Sequence, residues 1–71
     1  MFNPTAEYWA AKLNGIRLAI QRTEAEIPKL IEARQIEAHK SQALMYKKSL
    51  AVNQERYRSW RNKRQNLERA Q

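Results

Sequence analysis

Cysteine and aspartate are absent from the 71 residues, and the chain holds one glycine, one histidine and two prolines. Each scarcity removes a class of explanation. Without cysteine no disulfide can staple a small fold, and His39 alone cannot assemble a structural zinc site. Nucleophilic catalysis lacks its parts as well, since one imidazole cannot serve as both base and orienting partner for three serines. Glycine-rich phosphate loops are missing too. The chain is therefore expected to hold no cofactor or metal and not to be an enzyme, with His39 a solvated turn residue. No apolar run approaches the roughly 18 residues of a transmembrane helix. The opening MFNPTAEYW has neither the charged nor the apolar region of a signal peptide. These features predict a soluble cytoplasmic chain without membrane insertion.

What remains is rich in helix formers. Asn3 followed by Pro4 reads as an N-cap with proline at the first helical position, where its missing N–H costs nothing. From there apolar residues recur in a heptad register. Ala6, Leu13, Ile20 and Ile27 take one core position, and Trp9, Ile16, Thr23 and Leu30 the other. The second half carries its own register, with Ala43, Leu50 and Tyr57 at one position and Tyr46, Asn53, Trp60 and Leu67 at the other. Two amphipathic stripes predict an all-α fold, an antiparallel helical hairpin of coiled-coil type over residues 1–71.

Folding about Lys40 opposes Leu13 to Leu67, Ile20 to Trp60, Thr23 to Tyr57, Ile27 to Asn53 and Leu30 to Leu50. The expectation is helix 1 over about 4–38, a turn at 38–42 (AHKSQ, with Ser41 as cap) and helix 2 over about 42–70. One continuous helix in an extended dimer is the competing arrangement. Three residues interrupt helix 1 or its seam. Gly15 lowers helix propensity by about 1 kcal/mol against alanine and could admit another helix closely. Pro28 removes the hydrogen bond to Glu24 and should kink the helix. Thr23 and Glu26 have the spacing of a capping box, an alternative restart point. Asn53 is a polar core residue of the sort that fixes register or oligomeric state.

A chain this short buries only about 60% of the surface its unfolded form exposes, so association is the expected source of added stability. Side chains outside both stripes point the same way. Ile31, Ile36, Leu44, Met45 and Val52 fall near the expected turn and form the candidate protein-binding surface, while Tyr8 and Leu18 lie elsewhere. Dimerisation into an antiparallel four-helix bundle would cover such a face.

Charge is uneven. Residues 1–39 carry five basic groups and five glutamates, residues 40–71 nine basic groups and two glutamates, so the net +7 belongs to the second half. Its densest stretch is ERYRSWRNKR, residues 55–64. Tyr57 and Trp60 there continue the heptad and read as seam residues rather than base-stacking platforms. Lys47, Lys48, Arg56, Arg58, Arg61 and Lys63 form the candidate basic surface, with Arg64 partly packed and Arg56 in reach of Glu26. A bZIP basic region is excluded because Asn53 is followed by Arg56-Tyr57 and no leucine heptad lies downstream. Helix-turn-helix is excluded because the helices are long and antiparallel. Sequence-independent phosphate binding stays open beside an acidic protein partner.

A chain of about 70 residues that opens NPTAEYWAAKL, lacks cysteine and is nearly all helix resembles the small early proteins of temperate phages. Among these are dimeric helical-hairpin anti-activators that bind host regulators of quorum sensing or pilus assembly. The resemblance implies inhibition of a host regulatory protein, hence of transcription regulation, in the host cytoplasm. It carries no site residue over. The expected function is a homodimeric protein-binding module of this inhibitory type. The alternatives are a basic nucleic-acid-binding protein and a structural or cochaperone hairpin.

Overall fold

The computed structural model describes residues 3–70 and shows an all-α antiparallel hairpin. Helix α1 spans Ala6–Glu26 and helix α2 spans Ala33–Ala70, with a short 3₁₀ turn at Ile27–Lys29 between them. Met1, Phe2 and Gln71 of the expected 1–71 domain lie outside the described residues. Thr5, not Asn3, caps α1: its Oγ1 accepts from the Tyr8 amide at 3.1 Å, and its carbonyl accepts from Trp9. Pro4 therefore precedes the cap rather than opening the helix.

The chain reverses at Pro28, about ten residues before the expected turn at 38–42, which lies inside α2. Proline has no N–H to give the Glu24 carbonyl, so the helix cannot continue through it undisturbed. The Ile27 amide bonds that carbonyl in its place, tightening the last turn. Leu30 then turns extended (φ −86°, ψ 144°), its amide closing on the Ile27 carbonyl at 3.1 Å. Pro28 is thus a terminator and not a kink. Thr23 does not cap a new helix; its hydroxyl donates to the Ala19 carbonyl at 2.7 Å.

Both heptad stripes are seams, but they meet in a different alignment. Trp9 packs on Trp60 (ring centroids 6.5 Å) and on Tyr57 (6.0 Å), and Lys47 pairs with Glu24 at 3.5 Å. These contacts put the folding axis near Gln35, about five residues before Lys40. Leu13 accordingly lies beside Tyr57, not Leu67, which is exposed; Trp60 meets Trp9 rather than Ile20. The same stripe runs upstream from Ala43 and Tyr46 to half-buried Ile36 and His39. His39 is a helical residue whose ring Nδ1 lies 3.0 Å from the Gln35 carbonyl.

The buried core among the described residues is Trp9, Leu13, Ala43 and Asn53, each with a few per cent of its surface still exposed. With 38 residues α2 is about 57 Å long at 1.5 Å per residue, close to the molecule's 59 Å length, whereas the 21 residues of α1 reach about 31 Å. Much of α2 has no helix alongside. Gly15 is exposed, and a Cβ there would meet nothing within 4 Å, so no close helix approach uses it.

Candidate interaction surfaces

Four aromatic rings close the open end of the hairpin. Tyr57 stacks on Trp60 (6.1 Å, 24°), Trp9 tilts against both, and Tyr8 meets Trp9 edge-on at 5.3 Å. The Arg64 guanidinium lies over the Trp60 ring at 5.5 Å while also reaching Glu68 at 3.7 Å. These contacts occupy the ring faces that base stacking would require. Tyr57 and Trp60 are seam residues, as their spacing predicted.

Asn53 sits in the seam with 6% of its surface exposed. Its Nδ2 donates to the Ser49 carbonyl at 2.8 Å, while Oδ1 is buried without a partner among the described residues, as is Trp9 Nε1. An unmatched buried polar atom costs about 1–3 kcal/mol, so the seam is held below the stability an all-apolar one would reach.

The five candidate protein-binding residues do not form one patch. Ile36 is half-buried on the seam face, a correction to its reading as free surface. Ile31 stands in the turn and is 94% exposed. Leu44, partly exposed, borders a small groove with Ile27, Glu24 and Lys47 on the hairpin's flank. Met45 (70% exposed) and Val52 (50%) are one heptad apart on α2, turned away from α1. Ala38 and Ser59 extend that spacing in both directions, so 38, 45, 52 and 59 form a third stripe of small and apolar residues. Beside Met45 the surface dips into an open depression of about 520 Å³ floored by Ala38, Ser41 and Ser49. That stripe was present in the sequence as an i, i+7 repeat. It was obscured by grouping every leftover apolar residue about the wrong turn.

The six candidate basic residues also separate. Lys47 pairs with Glu24 and Arg58 with Glu55 (3.4 Å), whereas Lys48, Arg56, Arg61 and Lys63 make no ion pair among the described residues. Glu26 pairs with Lys29 at 3.6 Å, not with Arg56. Arg61 joins Arg58 and Arg17 of α1 at an open interhelical groove of about 440 Å³ whose floor is Leu13 and Tyr57. Side-chain amides of Gln54, Asn62 and Gln65 complete its lining, which contains no carboxylate. Arg17 was not among the expected basic residues. It lies on α1, outside the basic second half on which that surface was drawn.

Toward the start of α1 this groove runs into a second one, sharing Tyr57, Arg61 and Gln65 with it and bordered by Glu7, Glu68 and Arg64. Among the described residues no helix is long and apolar enough to cross a membrane. Neither a family model, nor a curated protein, nor a solved structure matches this chain. The observed class is a two-helix hairpin with an aromatic clasp, an outward apolar stripe and a basic interhelical groove.

Proposed function

We propose that this chain is a non-enzymatic protein-binding module, a homodimeric helical hairpin that inhibits a regulatory protein by covering one of its working surfaces. The carrying observation is the surplus of surface. A compact monomer of this mass exposes about 4,650 Å², whereas the hairpin exposes 6029 Å². The excess of about 1,400 Å² exceeds the roughly 800 Å² per partner of a standard protein interface. The apolar stripe through Met45 and Val52 supplies a seam for a second copy, α2 against α2, giving a four-helix bundle. Action on a transcriptional or pilus regulator, which the likeness to phage anti-activators implies, is the finer form of this reading.

The test is light scattering at micromolar concentration combined with capture of partners from nuclease-treated lysate. A dimer mass, abolished by Met45→Glu with Val52→Glu, is the expected result. A stable, cooperative monomer with no protein partner would refute the reading. The second reading, sequence-independent binding of nucleic acid, draws on Lys48, Arg56, Arg61 and Lys63, which make no ion pair among the described residues. It requires duplex affinity whose logarithm falls by about 0.9 per neutralised phosphate as log salt rises.

A further inference from the structure

The geometry points to the Arg17–Arg58–Arg61 groove as the docking site for an acidic helical segment of the partner protein, with carboxylates at the guanidiniums and an apolar side chain over Leu13 and Tyr57. This inference rests on the protein-binding reading and names the chemistry of the partner. Three arginines from two helices line one groove with three amide-bearing side chains and no carboxylate. Positive charge beside low-dielectric walls focuses the field and attracts anions, and guanidinium forks match carboxylate oxygens in pairs. Arg58 also contacts Glu55, but both side chains are about 70% exposed and the pair is readily exchanged for another carboxylate.

Two observations favour a peptide over a nucleic acid in this groove. Its floor is apolar, Leu13 with Tyr57, and the Tyr57 ring is already stacked on Trp60 with Trp9 tilted against it, so an apolar side chain suits it better than a stacked base. The positive field is also confined. Where the groove continues past Arg61 its border is mixed, Glu7 and Glu68 with Arg61 and Arg64, so the charges there cancel. The first stretch carries three arginines and no carboxylate, which suits a short acidic patch better than a phosphate chain running its length. An amphipathic helix laid in a groove places residues at i and i+4 on one side, suiting guanidiniums spaced along α2.

The test uses the full chain and a fluorescein-labelled synthetic helix of about twelve residues, the length of the groove at 1.5 Å per residue. Its glutamates occupy successive turns with a leucine between them. Arg17→Gln, Arg58→Gln and Arg61→Gln together should weaken its binding by about ten-fold, and Arg61→Gln alone by about three-fold, with unchanged helicity. Removing the same charge from outside the groove, by Lys48→Gln, Arg56→Gln and Lys63→Gln, should change it by less than about two-fold. Equal losses in the two triples would mean that net charge, not the groove, binds the peptide, and would overturn the proposal. So would a duplex oligonucleotide that outcompetes the peptide at physiological salt and depends on the groove arginines, since the occupant would then be nucleic acid. Light scattering on the same samples keeps the two readings apart: a groove that fails in an intact dimer leaves the protein-binding reading standing. Groove binding by a chain that proves monomeric and captures no protein supports the groove and counts against that broader reading.

Discussion

The open end of the hairpin and its turn end are built on different terms. At the open end Trp9 and Leu13 are buried and four aromatic rings interlock across the two helices. At the turn end the buried side chain is Ala43, while Ile31 stands almost fully in solvent and Met45 is largely exposed. One end holds the two helices together and the other leaves them unfinished. A chain with too little core for a uniform seam concentrates its packing where the rings are. It leaves the remaining apolar surface to be covered by another chain.

The sharpest way to break this contrast is at the clasp. Trp9→Ala should cost about 3–5 kcal/mol, a large share of the stability of so small a domain, and a thermal melt followed by circular dichroism should lose its cooperative transition. Trp60, half-buried and shared with Arg64, should cost about half as much. Equal losses at Trp9 and Trp60 would show that the clasp is not centred on Trp9.

The complementary change lies at the outward stripe. Met45→Glu with Val52→Glu should leave monomer helicity nearly intact and shift the dimer equilibrium by about 2–3 kcal/mol, read by sedimentation across a dilution series. A melt that collapses at every concentration would place these residues in the hairpin's own core.

How far the sequence discloses all this is itself uneven. Each stripe could be read from its spacing: Leu13, Ile20, Trp9 and Ile16 in α1, and Ala43, Leu50, Asn53, Tyr57 and Trp60 in α2, are all buried or half-buried. The alignment between the stripes could not be read with the same ease. Heptads repeat, and sliding one helix past the other keeps core positions facing core positions. Only the turn fixes the offset, and its signal was divided. Pro28 breaks the helix, yet Ile27 and Leu30 keep the α1 register through it and so concealed the reversal. The deciding signal was the uninterrupted run of α2's register back through His39 and Ile36, which a turn at 38–42 would cut. The groove was hidden for the same reason, since Leu13 meets Tyr57 to form its floor only at the correct offset.

Asn53 is where stability and alignment trade against each other. Replacing it with leucine removes a buried unpartnered oxygen and should raise stability by about 1–2 kcal/mol in urea titration. The same change frees the helices to slide, because a buried polar side chain at one core position penalises misaligned pairings. The expected outcome is a higher midpoint with broadened amide resonances. A drop in stability would mean that Oδ1 is bonded in solution.

The smallest effect tests the alignment itself. Glu24 and Lys47 form an ion pair across the two helices, with side chains about half exposed, so its coupling energy should be only about 0.5 kcal/mol. The magnitude matters less than where the coupling appears. With the axis near Gln35, Glu24 faces Lys47; with the axis at Lys40 it would face Arg56 and be far from Lys47. A double-mutant cycle on Glu24→Gln and Lys47→Gln should therefore give a non-zero interaction that shrinks at high salt, while the cycle on Glu24→Gln and Arg56→Gln should be additive. Coupling to Arg56 instead would move the turn to residues 38–42. It would also carry Leu13 about 15 Å along the seam from Tyr57, at 1.5 Å per residue, and the floor of the groove would no longer exist.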